Sequence, residues 1–409
     1  MIVAQPTALG RITTREVHGS FIDETIGILA NAPASTISFA VGAPAPEALG
    51  LVGIASLVGI ASLVERVLAR DGHIALGYGV TEGDTELREI IAASARARGA
   101  RVGAEDVIVT AGALQAIDLA CRVFIHPGDL VVVESPAFAN ALSALRNHGA
   151  RILEVPMDDD GIDVREAERL IRLAGVRPRL FFVVPNFQNP TGATLSYGRR
   201  EQLLALAAGY GALVLEDDPY GALRFRGEPV PDLATLAVNT GIVSVGTFSK
   251  TFLPGLRVGW AIADRATVRR MAAAKQTMDS CTSTFSQRLA VEFHRDPVDE
   301  HVDALRALYA EKQTRAREAL AQCFAGTGVE WNDPEGGFYL WVTLPEGVSA
   351  RKLLDLALEE GVAFVPGDAF AVTRDHSNAL RFSYSWPQPD RIAEGVRRLR
   401  RAYDRLLAS

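Results

Sequence analysis

The residues best suited to chemistry in this 409-residue chain lie over 244–260, Ser-Val-Gly-Thr-Phe-Ser-Lys-Thr-Phe-Leu-Pro-Gly-Leu-Arg-Val-Gly-Trp. A β-rich run over 242–246 delivers Lys250 between hydroxyls, and a Pro-Gly turn brings Arg257 back seven residues later. Such a set suits an aldehyde with a phosphate tail. The lysine amine can form a Schiff base, while Thr247, Ser249 and the planar guanidinium of Arg257 can donate to phosphate oxygens. Taken alone, the same run also reads as a strand followed by a solvated turn, so the surrounding loops must decide.

Four further loops carry groups of the right kind. Asn189-Pro190-Thr191-Gly192 follows a predicted strand over 180–184, and Asp217-Asp218-Pro219-Tyr220 follows one over 213–216. Gly112-Ala113 sits between a strand over 107–110 and a helix from 114, and Pro136-Ala137-Phe138 follows a strand over 130–134. Each is an ordinary turn by itself. Their recurrence at successive strand ends, together with the lysine strand, points to one site. Nearer the start, Gly42 in Val41-Gly42-Ala43 allows the backbone to approach a ligand closely.

The elements that must position these loops follow a rhythm. From 106 onward β-rich runs at 107–110, 130–134, 152–155, 180–184, 213–216 and 242–246 alternate with helical runs, one of them opening at Asp163 with Glu166 placed for a capping box. The alternation predicts the α/β class, a mainly parallel sheet covered by helices on both faces, with ligand-binding loops beyond the carboxyl ends of the strands. After a long helical stretch over 302–323 the pattern changes. Strands at 330–331, 338–342, 362–365 and 380–383, interleaved with helices over 350–360 and 391–406, predict a smaller α+β domain. A chain this long exceeds one usual core. The expected division is 1–40 as an arm contributing to the small domain, 41–300 as the large domain and 301–409 as the small C-terminal domain.

The arm over 1–33 reads as irregular, with a helix near 21–29. LVGIAS occurs at 51–56 and again at 57–62, too short a unit for a solenoid repeat, and in a helix each copy would rotate the residues after it by about 120°. The uncharged run over 48–64 falls short of the ~20 residues a membrane span needs and contains Gly50, Gly53 and Gly59, so a buried or interfacial helix is expected. A formal net charge of -7 provides no electrostatic footprint for nucleic acid. Cys121, Cys281 and Cys323 show no metal-ligand spacing with one another or with the histidines, and the N-terminus lacks a signal-peptide pattern. A cytoplasmic protein without membrane, nucleic-acid or metal partners is expected.

Over 42–386 the chain resembles the class I/II pyridoxal-phosphate aminotransferases of fold type I. The wording Pro185-Asn186-Phe187-Gln188-Asn189-Pro190-Thr191-Gly192, Glu216-Asp217-Asp218-Pro219-Tyr220, and Phe248-Ser249-Lys250 through Pro254-Gly255-Leu256-Arg257 is most similar to the aminoadipate and aromatic aminotransferase subgroup, which includes the aminotransferase-like domains of MocR-type regulators. The resemblance implies pyridoxal 5'-phosphate as cofactor, with Lys250 as the Schiff-base lysine and Asp217 facing the pyridine nitrogen. It implies Asn189 and Tyr220 on the ring's phenolic oxygen and Phe138 stacked on the ring. Thr247, Ser249, Arg257 and the amides of Gly112 and Ala113 at a helix N-terminus would take the phosphate. Tyr78 resembles a tyrosine that reaches the phosphate of the neighbouring subunit, which implies a homodimer with shared sites. Arg381, in Leu380-Arg381-Phe382-Ser383, matches the small-domain arginine that grips the substrate α-carboxylate as a planar fork, with Gly42 adding a backbone contact.

Two departures stand out. Related enzymes often carry Ser or Thr where Ala113 stands. Aminoadipate-type members commonly place an arginine in the N-terminal helix, whereas Ile22-Asp23-Glu24-Thr25-Ile26 offers carboxylates, which favour a neutral or cationic amino acid. The implied activity is ping-pong amino transfer from an L-amino acid to a 2-oxo acid. The same residues also support racemases, β-lyases, decarboxylases and oxidases, because the cofactor carries the hard chemistry. A cofactor-binding sensor is the non-enzymatic alternative, disfavoured because about forty residues precede Gly42, too few for a winged helix-turn-helix.

Overall fold

The computed structural model describes residues 17–19, 27, 33–50, 57–237 and 241–408. The arm helix expected over 21–29, apart from Gly27, lies outside the described residues, as do Asp23, Glu24 and the first copy of the duplicated block. The second copy opens the helix Leu57–Ala75. Among the described residues no helix is long and apolar enough to cross a membrane.

The first strand, β1 (Ile37–Ser38), is followed by eight that build the large sheet. They are β2 (Val107–Thr110), β3 (Leu130–Ser135), β4 (Arg151–Asp158), β5 (Gly161–Ile162), β6 (Pro178–Val183), β7 (Leu213–Asp217), β8 (Ile242–Thr247) and β9 (Gly259–Ile262), in the order β2-β9-β8-β7-β6-β3-β4-β5. Strands β8, β7, β6, β3 and β4 run parallel to one another. β9 runs against both β2 and β8, and β5 against β4. Every residue of β3 is buried, as a strand covered on both faces requires. Alternate residues of β3 feed opposite layers: Val131 and Val133 join one apolar cluster, Val132 another.

Strand β9 escaped the sequence reading because its four residues, Gly-Trp-Ala-Ile, follow the turn at Pro254–Leu256 too closely to show a separate period. The helices Arg265–Gln276 and Thr284–Phe293 were likewise not anticipated. Asp163 caps its helix, its carboxylate accepting from the backbone amides of Arg165 and Glu166, both at 3.0 Å. The expected capping box is not completed: the Asp163 amide donates to Pro156 O and the Glu166 carboxylate pairs with Arg169.

The smaller unit follows the long helix Val298–Phe324. Strands β10 (Glu330–Trp331), β11 (Tyr339–Thr343), β12 (Val362–Ala363), β13 (Val365–Pro366) and β14 (Ala379–Ser383) appear in that order along the chain. Four of them form an antiparallel sheet, β10-β11-β14-β13. The single strand expected over 362–365 is split at Phe364, with β12 pairing in parallel with β1 and β13 pairing with β14. Side chains of the small unit continue this stitching of the early chain. Ser383 Oγ donates to Val41 O and Ser385 Oγ to Ala43 O, both at 2.8 Å. Residues 37–45 are thereby a strap laid from the small sheet across the carboxyl ends of the large one.

Candidate active site

Two neighbouring parallel strands end side by side and set the floor of a cavity of about 240 Å³. Asp217 is the last residue of β7, and Lys250 lies three residues beyond the end of β8. Both line the cavity. The Asp217 carboxylate is buried, and its Oδ1 has no hydrogen-bond partner. Burial pushes its pKa up to about 7, helped by the nearby Asp218 and opposed by the Lys250 ammonium. Lys250 Nζ donates to Gly42 O at 2.8 Å. Desolvation, then the positive charge of Arg381, pulls its pKa down to about 8, while Asp217 acts in the other direction. A low-dielectric pocket disfavours both charges, so each group sits close to a proton exchange at neutral pH.

The chain has four lysines. Lys275 is buried in an ion pair with Asp279, Lys312 is buried against Glu47, and Lys352 lies exposed on the helix Ala350–Glu359. Lys250 is the lysine that lines this cavity.

At one end of the cavity hydroxyls and a guanidinium converge. Thr247 Oγ1 lies 2.9 Å from Ser249 Oγ and 3.1 Å from Val258 O, and it accepts from the Ser249 amide. Its single proton can serve only one of those acceptors at a time. Arg257, with a left-handed backbone at φ 53°, donates to Ser249 Oγ at 3.3 Å. Gly112, at φ 87°, caps the helix Ala113–Phe124, and a Cβ there would collide with Arg257 Nη2. Glycine is therefore favoured by the backbone angle, and a side chain there would displace the Arg257 tip. The helix N-terminus opens beside the guanidinium, an arrangement suited to an anion, with the Gly112 amide itself donating to Thr110 O at 2.8 Å. Ala113 lines the cavity, and so does Phe138, the half-buried residue that opens the helix Ala139–Asn147.

Arg381 stands at the opposite end. Its guanidinium is buried between the rings of Tyr339 and Phe370, at 4.6 Å and 5.1 Å from their centroids. Nη1 donates to Asn189 Oδ1 at 2.9 Å and Nη2 to Ala40 O at 2.6 Å, while Nε is buried without a partner. Desolvation lowers its pKa from the usual arginine value. Tyr220 OH lies 2.9 Å from Tyr339 OH, and burial raises the Tyr220 pKa well above its ordinary value.

Of the sequence candidates, Gly42, Ala113, Phe138, Asn189, Asp217, Tyr220, Thr247, Ser249, Lys250, Arg257 and Arg381 all line one cavity. Gly112 borders it through Arg257. Tyr78 does not: it is 97% exposed, on a loop with Leu76 and Val80, which are exposed as well. Sequence reasoning missed Tyr339, which lines the cavity, bonds Tyr220 and supports Arg381. The nearby pair Gly336-Gly337 marks only a close approach to Phe187, whose ring a Cβ on Gly336 would strike and whose Cβ one on Gly337 would strike, and carries no signal for Tyr339 itself. Sequence reasoning also missed Glu134 at the end of β3, whose carboxyl is buried and pushed up to about 8 chiefly by desolvation.

The mainly parallel large sheet, the small antiparallel sheet beside it and a strand-end lysine in one cavity with a buried carboxylate place the protein among pyridoxal-phosphate enzymes of fold type I. More narrowly, the chain belongs to the family described as aminotransferase class I and II, which it matches over residues 57–399. It is 37% identical over 368 residues to the aromatic-amino-acid aminotransferase 1 of Thermococcus litoralis, covering 89% of this chain and 87% of that one. The crystal structure of the α-aminoadipate aminotransferase of Thermus thermophilus, complexed with N-(5'-phosphopyridoxyl)-L-leucine, is similar with a TM-score of 0.87 at 36% identity over 96% of each chain. That of the Pyrococcus horikoshii kynurenine aminotransferase, in complex with PMP, gives a TM-score of 0.90 at 35% identity over 98% of this chain and 99% of that one.

Proposed function

We propose that the chain moves the α-amino group of an L-amino acid to a 2-oxo acid, in two half-reactions that share this cavity, with pyridoxal 5'-phosphate as carrier. The observation that carries the reading is the buried Oδ1 of Asp217, which lacks a partner in the cavity that Lys250 and Arg381 also line. A protonated pyridine nitrogen is the partner such an oxygen calls for. The other groups fit the cofactor too: a hydroxyl, guanidinium and helix-end cradle for its phosphate, and the Phe138 ring for its face.

Bound there, the cofactor supplies an electron sink conjugated to the substrate Cα. The chain's residues do the rest. Asp217 holds positive charge on the ring nitrogen. Asn189 has its Oδ1 occupied by Arg381, so its amide NH₂, with the Tyr220 hydroxyl, donates to the phenolic oxygen. Thr247, Ser249, Arg257 and the amides of Gly112 and Ala113 bind the phosphate. Arg381 binds the substrate α-carboxylate, with its buried Nε still to be satisfied, and the Gly42 backbone contacts the same group. Lys250 would hold the cofactor at rest and, once displaced, would take the proton from the substrate Cα and deliver it to the cofactor's C4′ carbon rather than back to Cα. A lysine drawn down to about 8 is partly unprotonated at neutral pH and suited to that task.

We also propose a homodimer in which Tyr78 reaches the phosphate of the second copy, supported by the exposed run Leu76, Tyr78 and Val80. We propose a division at about 40 and 300, with 1–40 as an arm that contributes to the small domain, 41–300 as the large domain and 301–409 as the small C-terminal domain. Of the described arm residues, His18 and Gly19 bond Asn147 and Ser143 of the large unit, and the strand at 37–38 joins the small one. The β1–β12 pairing supports this, and the bonds from Ser383 and Ser385 mark 41–43 as the crossing point. A cytoplasmic location is supported by three cysteines that are all free.

The test is nitrogen transfer. Purified protein reconstituted with the cofactor is offered a panel of nitrogen-15 L-amino acids with 2-oxo acids, and products are followed by mass spectrometry. The label should appear in the amino acid derived from the oxo acid. Release as ammonia, or retention on a racemised donor with no transfer for any pair, contradicts the proposal.

A further inference from the structure

Glu154 lies on β4 in the large sheet, outside the cavity, yet it is almost wholly buried and its carboxylate is fully engaged. Oε1 accepts from the Val372 amide at 2.8 Å. Oε2 accepts from the amides of Thr373 at 2.6 Å and Arg374 at 3.1 Å, and from Thr373 Oγ1 at 2.5 Å. Three successive backbone amides turned onto one carboxylate make a charge-assisted anchor, stronger than neutral hydrogen bonds of the same number. The anchored loop belongs to the small unit, between β13 and β14. Two further contacts tie the same loop to the end of β3: Ala137 N donates to Phe370 O at 2.8 Å, and Ser135 Oγ lies 3.0 Å from His376 Nε2.

The loop's inner residue is Phe370, fully buried, whose ring lies against the Arg381 guanidinium and packs edge-on against Trp341. Arg381 thus has one wall from β11, in Tyr339, and one from this loop. Moving the loop removes a wall. The Tyr339 side has its own hydrogen bond to Tyr220, whereas the Phe370 ring has no polar group and its place depends on the backbone that carries it.

We infer that Glu154 is a positioning residue for substrate carboxylate binding: it pins the 370–374 loop of the small unit to the large sheet, and the pinned loop holds Phe370 against Arg381. This rests on the proposed carboxylate role of Arg381. Glutamine at 154 keeps the shape but turns one acceptor into a donor facing amides, so it must reject part of the cradle. Every amino and oxo substrate shares the carboxylate. The effect should therefore fall equally on both half-reactions, and on binding more than on turnover.

The experiment compares Glu154→Gln, Phe370→Leu and Arg381→Ala in the reconstituted enzyme, measuring KM and kcat for donor and acceptor together with the Kd of propionate, a carboxylate that cannot react, by calorimetry. The expected result is a rise of about tenfold in both KM values and in the propionate Kd for Glu154→Gln and Phe370→Leu, with kcat within about threefold of the parent. Unchanged KM and Kd in both variants, or a fall in kcat alone, overturns the inference if Arg381→Ala still weakens propionate. If Arg381→Ala leaves propionate binding intact, the carboxylate reading of Arg381 fails and this inference with it. Should Glu154→Gln not fold, Glu154→Asp takes its place, since it keeps the charge but draws the carboxylate back by one methylene from the amides of 372–374. The same rise in both KM values and in the propionate Kd is expected, and unchanged values overturn the inference.

Discussion

The floor and the rim of the cavity are built in different ways. The floor consists of Asp217, Thr247, Ser249, Lys250 and Arg257, supplied by the ends of β7 and β8 and the turn after β8, within about forty residues of sequence. The rim joins Gly42 and Asn189 to Tyr339 and Arg381, brought together by the strap and the small sheet, and one rim bond, Arg381 to Ala40 O, spans 341 residues. The parallel ladder between β7 and β8 fixes the floor. The rim depends on two units staying docked, through contacts such as the Glu154 cradle. The floor should therefore govern chemistry and the rim binding, and variants in the two regions should separate along that line.

The largest effect belongs to the floor. Lys250→Ala should lower turnover by ~10⁴-fold or more while leaving the fold intact, at the upper range for a positioned general base. Steady-state kinetics with circular dichroism checks this, and wild-type turnover would remove the lysine from its role. At the rim, Arg381→Ala should raise KM for both substrates by about 10²-fold, and Arg381→Lys should recover little of that loss, since an ammonium cannot reproduce the fork. A dominant fall in kcat instead would erase the division between the two regions.

Tyr339→Phe sits where they meet. It removes one hydroxyl from the Tyr220 pair, leaves the ring beneath Arg381 and should lower kcat by about two- to tenfold with KM nearly unchanged, as measured by initial rates. The smallest effect is one of stability. Asp217 has a folded pKa of about 7 against an ordinary value of 3.8, so the stability linked to its proton is present below the ordinary value and lost as pH rises through 7. In the cofactor-free protein Asp217→Asn should therefore raise the melting temperature by a few degrees at pH 8 and by less at pH 5. A variant less stable than the parent at pH 8 would mean that Asp217 gains more from Lys250 than it loses by burial.

The floor was also the legible part of the sequence. A lysine, its flanking hydroxyls and a returning arginine lie in one short run, and the parallel sheet announces itself through runs such as Val131-Val132-Val133 that are buried on both faces. The rim was harder to read. Arg381 stood out only through the resemblance. Tyr339 gave no signal of its own, because an aromatic at the start of a strand looks the same whether it faces a core or a cavity. Glu154 could not be found at all: in sequence it is one acid in an ordinary strand, and its meaning comes from a loop more than two hundred residues away. Strand β9 was lost for a local reason, four residues folded back directly after a turn.

The most direct measurement of the central claim is to find the amine that carries the cofactor. Reconstituted enzyme would be reduced with borohydride, digested and mapped by mass spectrometry, with Lys275, Lys312 and Lys352 as internal controls. The phosphopyridoxyl mass is expected on the peptide containing Lys250 and on no other. Label on one of the other three lysines, or on none, would contradict it.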